Sequence, residues 1–333
     1  MTEESQADIV DRKKAGEFVR VKAAFRDWVG GVDGKYPAEK DRYHLYVAYN
    51  CPWCHRVILA RSLLGLQDVI SMDVCFPNRT DESHEQGPGF WQFLPQGADW
   101  PTGTKIQYDS CTNDTVNGKT TVVEIYKMVG ADLNASRPSV PVLFDKKTKT
   151  IVSNESAEII EMLATSFISL AKNPINLIPA EKKVFMSECN DWIYHKINNG
   201  AYKAGFSSSQ KAYEDAFDEY FGALDKLDAM LANSAFVCGS QLTLTDIRLF
   251  PTIFRHDPIY YLRMKLNHKY IKEYPNLWKW LCMMYAIPAV KAECPLDQMK
   301  QGYFGNTWNK VVPKGPLTYL HDLQLSGQKL NGE

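Results

Sequence analysis

Tyr43-His44-Leu45-Tyr46-Val47-Ala48-Tyr49-Asn50-Cys51-Pro52-Trp53-Cys54-His55-Arg56-Val57-Ile58-Leu59-Ala60-Arg61-Ser62-Leu63-Leu64-Gly65 passes from one periodicity to another within a few residues. From His44 to Tyr49 the order His, Leu, Tyr, Val, Ala, Tyr suits a strand. Pro52 then opens a helical pattern through Val57, Ile58, Ala60, Leu63 and Leu64 that stops at Gly65. Val69 to Cys75 reads as a second strand. Strand, helix and strand within about 32 residues predict a βαβ unit with parallel strands and a right-handed crossover.

Downstream, Phe76 to Thr121 lapses into Pro, Gly, Asp and Asn with scattered Trp and Tyr, too long for an ordinary connection and read as a functional insertion. Val122 to Gly130 is a predicted helix. Val140 to Asp145 and Thr150 to Val152 are predicted strands across a Lys146-Lys147-Thr148-Lys149 turn, and Glu155 to Phe167 is a closing helix. The order βαβ, α, ββ, α is the thioredoxin arrangement, with the last two strands antiparallel to the first pair. After Pro174 only helical patterns recur, at 180–200, 207–232, 244–264 and 275–286. Thr243-Leu244-Thr245-Asp246 resembles a capping box with Asp in place of Glu and starts a buried helix.

The expected architecture is α/β plus all-α: an extension (1–41), a thioredoxin-like domain (42–170) carrying the 76–121 insertion, an all-helical domain (171–310) and an extended tail (311–333). In the extension Phe18, Val21, Phe25, Trp28 and Val29 recur at helical spacing and predict a short amphipathic element.

A chain of 333 residues exceeds what one hydrophobic core usually covers, which agrees with two domains. Its 38 basic and 39 acidic side chains leave a formal charge of −1, without the basic excess of a nucleic-acid binder. No apolar run approaches the length of a membrane helix, and the first twenty residues lack a signal-peptide core. Eight cysteines are too sparse for a disulfide scaffold, so a reducing compartment, by default the cytosol, is expected. In that setting the sequons at Asn78, Asn113, Asn134 and Asn154 carry no glycan.

Cys51 sits where the strand ends and the helix begins, facing unpaired backbone N–H groups and the positive end of the helix dipole. Its thiol is therefore expected to be exposed, with a lowered pKa that makes it a nucleophile near neutral pH. The alternative is an inert buried cysteine. Cys51-Pro52-Trp53-Cys54-His55 also matches the C-x-x-C-H pattern of haem attachment and supplies three potential zinc ligands, but an exported context or a second ligand pair is missing. Val140-Pro141 precedes a strand, where a cis bond leaves the Val140 backbone free to pair with an extended peptide; a trans strand boundary is the plainer reading. Glu155-Ser156 begins a helix whose N–H groups and hydroxyl suit a carboxylate, with Glu155 suited to an ammonium, or is an ordinary helix start.

Tyr43 to Val47 leading into Cys51 to Arg56, then Ser139-Val140-Pro141-Val142-Leu143 and Asn154-Glu155-Ser156, resemble the xi-class glutathione transferases, the glutathionyl-hydroquinone reductases. The likeness spans nearly the whole chain, including Gly16 to Arg20, Asp246 to Phe250 and Val312 to Pro316. It implies glutathione as co-substrate, bound on the thioredoxin-like domain, an aromatic glutathione conjugate as substrate, no metal and a homodimer. Cys51 matches the catalytic cysteine. Trp91, Arg137, Val140, Glu155 and Ser156 match glutathione contacts, and Tyr303 and Tyr194 match tyrosines near the hydroquinone. At Cys54 the family more often has alanine. An omega-like thioltransferase or dehydroascorbate reductase, a dithiol enzyme using Cys54, and a non-catalytic glutathione-binding protein are the competing expectations.

Overall fold

The computed structural model describes residues 13–99, 105–133 and 137–331. They divide into two compact units. One comprises Lys22–Asn176 with Ala289–Pro313; the other comprises Leu177–Pro288 with 13–21 and 314–331.

The first unit is built on β1 (Tyr43–Val47), α1 (Pro52–Leu63), β2 (Ser71–Val74), the short hairpin β3 (Ala98–Asp99) and β4 (Lys105–Ile106), α2 (Val122–Met128), β5 (Val142–Asp145), β6 (Thr150–Ser153) and α3 (Ser156–Ala164). Its main sheet has the order β2-β1-β5-β6. β1 pairs in parallel with β2, starting from His44 opposite Ser71, while β5 and β6 run antiparallel. The sheet is buried on both faces, as continuous apolar strands such as Val142-Leu143-Phe144 require. Arg42 and Asp145 form a buried ion pair (2.7 and 3.0 Å), and Asp145 also accepts from the Lys147 N–H and the Thr148 hydroxyl, which fixes the β5–β6 turn.

The insertion is tied back under the sheet by two acids. Asp73 accepts from the Thr112 hydroxyl and from the Thr115 N–H and hydroxyl; Asp114 accepts from the Tyr46 hydroxyl and from the N–H groups of Val116, Asn117 and Lys119. Gly97, at φ +73°, admits no side chain, since a Cβ there would lie 2.1 Å from the Ile106 carbonyl oxygen.

The second unit is helical: α4 (Lys183–Ile193), α5 (Gly200–Phe206), α6 (Gln210–Leu231), α7 (Leu244–Arg255) and α8 (Pro275–Ala286). The predicted 180–200 and 244–264 segments each contain a π-helical turn, at Tyr194–Asn198 and His256–Tyr260. Pro258, which lacks an N–H, lies in the second. The capping box at Thr243 and Asp246 forms as expected. Among the described residues no helix is long and apolar enough to cross a membrane.

Three segments differ from expectation. Residues 18–29 are not helical: Phe25 and Asp27 pair through their backbones with Asn154 and Val152, covering the open edge of β6. Two aromatics of that stripe pack within their own units, Phe18 on Tyr202 and Phe206, Phe25 edge-on to Tyr126. The tail expected to be extended forms a helix over Tyr319–Asn331; Tyr319 and Leu323 are buried, the Tyr319 hydroxyl donates to the Phe254 carbonyl, and Gly327 lies against Cys282 and Ala286 of α8. Finally α9 (Leu296–Phe304), read with the helical domain, clusters with the first unit, and the tail helix is accordingly α10. Gly302 explains the closeness of α9, because a Cβ there would stand 2.1–2.4 Å from the Asn50 side chain.

Candidate active site

The site grows from the end of β1. Cys51 caps α1 in an extended conformation (φ −84°, ψ 118°) with Pro52 in the first turn, and the Cys51 carbonyl accepts from the His55 N–H at 3.0 Å. The thiol is not open to solvent as the sequence suggested: the residue is 8% exposed, because β1 ends inside the unit. Its Sγ donates to the Val140 carbonyl oxygen at 3.6 Å, and the Val140–Pro141 bond is cis.

Burial alone opposes ionisation of Cys51. The Cys54 thiol, the backbone N–H groups of Cys54 and Trp53 and the charge of Arg79 outweigh it and lower the thiol to about 7. Cys54 moves the other way, raised by burial and then by its bond to Cys51. The two thiols of the C-x-x-C pair are thus unequal, the first lowered and the second raised. All eight cysteines are free thiols. His55 turns away from the pair toward Cys294 (3.8 Å), and among the described residues no group of three or more His, Cys, Asp or Glu side chains is placed to hold a metal ion.

Glu155 caps α3, its carboxylate accepting from the Ala157 N–H at 3.0 Å, and Ser156 is buried in the first turn. Asn154 links this corner to the cis turn: its Nδ2 donates to the Tyr126 hydroxyl (2.9 Å) and to Ser139 Oγ (3.2 Å), and the Tyr126 hydroxyl donates to the Ser139 carbonyl (3.1 Å). Trp91 is buried and abuts the start of α2, its carbonyl accepting from the Val122 N–H. Arg137 is exposed. Tyr303 is half-buried on α9, directly after the glycine that abuts Asn50. Tyr194, also half-buried, opens a π-helical turn in the helical unit.

Cys51, Trp91, Arg137, Val140, Glu155, Ser156 and Tyr303 therefore belong to one unit and Tyr194 to the other. Sequence reasoning missed Arg79, whose charge acts on Cys51, and the Tyr126–Ser139–Asn154 brace. A signal for Arg79 was present. β1 and β2 are parallel, so the loops after both leave the same end of the sheet, where α/β proteins place their ligands.

Residues 50–166 match the family model of the glutathione S-transferase N-terminal domain, and residues 210–281 match that of the C-terminal domain. The chain is 37% identical to glutathionyl-hydroquinone reductase YqjG of Escherichia coli, over 92% of this chain and 90% of that protein. The chain belongs to the xi class of the glutathione transferase family. The xi transferase of Phanerochaete chrysosporium superposes with a TM-score of 0.82 at 39% identity, covering 92% of this chain and 95% of that one. The glutathione-bound structure of YqjG superposes with a TM-score of 0.79 at 35% identity, covering 89% and 94%. An omega-like transferase of Schizosaccharomyces pombe is 36% identical over 82% of this chain and 83% of its own. A thioredoxin-like unit with a helical unit is the architecture of this family, in which Cys51 stands at the strand-to-helix junction.

Proposed function

We propose that this xi-class transferase is a glutathione-dependent reductase that removes glutathione from S-glutathionyl hydroquinones. The observation that carries the reading is a Cys51 thiol lowered to about 7 at the N-terminus of α1, 3.6 Å from the carbonyl of the cis Val140–Pro141 turn. The name of its E. coli relative supports the substrate class.

In the first step the Cys51 thiolate attacks the glutathionyl sulfur. A Cys51–glutathione disulfide forms, the aryl carbon–sulfur bond breaks, and its electron pair takes a proton at the aryl carbon to give the hydroquinone. In the second step a glutathione thiolate attacks the glutathione sulfur of the mixed disulfide, giving oxidised glutathione and the Cys51 thiolate. The conjugate is reduced at carbon and glutathione is oxidised, so no further redox partner is required. Trp91, Arg137, Val140, Glu155 and Ser156 hold the tripeptide in this proposal, with the Val140 backbone against its cysteinyl residue and Glu155 and Ser156 at the γ-glutamyl end. Tyr303, in the same unit as Cys51, is the tyrosine assigned to the hydroquinone in this proposal. A turnover comparison of a glutathionylated hydroquinone, a glutathionylated phenacyl ketone, dehydroascorbate and a mixed disulfide tests the reading; the hydroquinone conjugate is expected to be the best substrate, and preference for dehydroascorbate would favour the omega-like alternative.

Glu155→Ala is expected to weaken glutathione binding by about 1.5–3 kcal/mol, since it deletes a charge-assisted partner of the ligand ammonium. It also removes the α3 cap, worth about 1 kcal/mol of stability, so binding is titrated calorimetrically on the folded variant. An unchanged dissociation constant would leave Glu155 a helix cap alone.

Cys54→Ala is expected to keep most of the turnover, because a buried thiol with a raised pKa attacks the Cys51 mixed disulfide less well than free glutathione. A loss beyond about tenfold, together with a Cys51–Cys54 disulfide during the cycle, would establish a dithiol mechanism instead.

A cytosolic homodimer completes the proposal. With Phe18 and Phe25 packed within the chain, its structural support is the exposed apolar pair Trp308 (95% exposed) and Val311 (63%). Light scattering at micromolar concentration is expected to give twice the chain mass; a monomer mass refutes it.

A further inference from the structure

Arg79 stands in the loop that leaves β2, and the mechanism above gives it no role. Its guanidinium lies 3.4 Å over the centroid of the Trp91 ring, and its Nη1 donates to the Gly89 carbonyl at 3.0 Å. Its backbone N–H donates to Asn306 Oδ1 at 2.8 Å, and Asn306 Nδ2 donates to the carbonyls of Pro77 (3.2 Å) and Gly302 (2.6 Å). Gln301 Nε2 donates to Asn78 Oδ1 at 3.0 Å. The 77–79 loop is thereby clamped to the end of α9, the same helix that packs Gly302 against Asn50, and Asn50, the neighbour of Cys51, donates through its Nδ2 to the Pro77 carbonyl at 3.3 Å. Among the described residues neither Arg79 nor Arg137 has a carboxylate as partner.

We propose that Arg79 is a positioning residue for the reacting thiol: the insertion delivers a guanidinium, flattened on Trp91 and clamped by α9, in the loop that is hydrogen-bonded to Asn50 beside Cys51, where it supplies a fixed positive charge. This rests on Cys51 being the reacting thiol. The groups acting on Cys51 are the Cys54 thiol and the Trp53 and Cys54 N–H groups of α1, with Arg79 from the insertion; those acting on Arg79 are Cys51, Arg137, Cys75 and Cys54. Burial pulls Arg79 down to about 10, which the charge of Cys51 opposes, so it stays protonated at neutral pH. The insertion then has a chemical purpose that a surface loop lacks.

The test is the pH dependence of Cys51 alkylation by iodoacetamide, followed by peptide mass, with neither glutathione nor hydroquinone present. The wild-type midpoint is expected near pH 7. Removing an opposite charge close to a thiolate raises its pKa by about one unit, so Arg79→Gln should be alkylated about fivefold more slowly at pH 7, while Arg79→Lys keeps the wild-type profile. Should Arg79→Gln fail to fold, Arg79→Met, whose stem still covers Trp91, carries the same expectation. An unchanged midpoint in a folded neutral variant, or an equal shift in Arg79→Lys, overturns the proposal. An unchanged midpoint alongside intact turnover of a glutathionyl hydroquinone sinks the role of Arg79 alone; a shifted midpoint in a protein that turns over no such conjugate sinks the reductase reading and leaves Arg79 in place.

Discussion

Cys51→Ser is expected to bring hydroquinone release from an S-glutathionyl hydroquinone down to the uncatalysed background. A serine hydroxyl cannot form the mixed disulfide, and no neighbouring thiol is fit to replace it: Cys54 is raised by burial and by its bond to Cys51, and Cys75 is raised by burial. The fold should survive. Although Cys51 is only 8% exposed, a hydroxyl is smaller than a thiol and still turns a donor toward the Val140 carbonyl, so the stability change should stay within about 1 kcal/mol. The assay is steady-state turnover with circular dichroism on the same sample, and retained turnover in a folded variant would remove Cys51 from the chemistry.

Asp246→Ala should have the largest effect on stability. The Asp246 carboxylate is fully buried and accepts from four donors: the N–H groups of Val237 and Thr243, the Thr243 hydroxyl and the Trp280 indole N–H, all at 2.9–3.0 Å. Burial raises its pKa, which those donors oppose. Alanine leaves all four donors unpaired inside the helical unit and deletes half of the capping box that starts α7. Each orphaned donor costs about 1–3 kcal/mol, and a non-additive total of about 4 kcal/mol is expected, a large part of a typical domain's stability. Asp246→Asn, which keeps one acceptor, should lose less. Denaturant unfolding measures both; a change below about 1 kcal/mol for the alanine variant would mean the network is dispensable.

What was legible in the sequence was what is set by local pattern. The βαβ unit, the β5–β6 turn and α3 appear where alternating and helical periods placed them, because strand and helix there bury contiguous apolar residues such as Leu143 and Ile159. Cys51, Val140, Glu155 and Ser156 lie at junctions between such elements, so their neighbourhood followed from the order of the elements. The misses depend on where chain returns in space. Phe18 to Val29 has helical spacing but satisfies its backbone on the β6 edge, a partner far away in sequence. The tail helix was hinted at by Tyr319, Leu323 and Gly327 four residues apart, yet it exists through its packing on α8. Arg79 is held by Trp91 and Asn306, the second of which comes from far along the chain.

The central claim is that glutathione passes through Cys51. Wild-type protein mixed with a stoichiometric amount of an S-glutathionyl hydroquinone, without free glutathione, is acid-quenched and its peptides are weighed. The account predicts one glutathione per chain, on the peptide containing Cys51, with one hydroquinone released, and loss of that adduct with appearance of oxidised glutathione when free glutathione is added. Release of hydroquinone while Cys51 remains unmodified, or an adduct on any other cysteine, would contradict it.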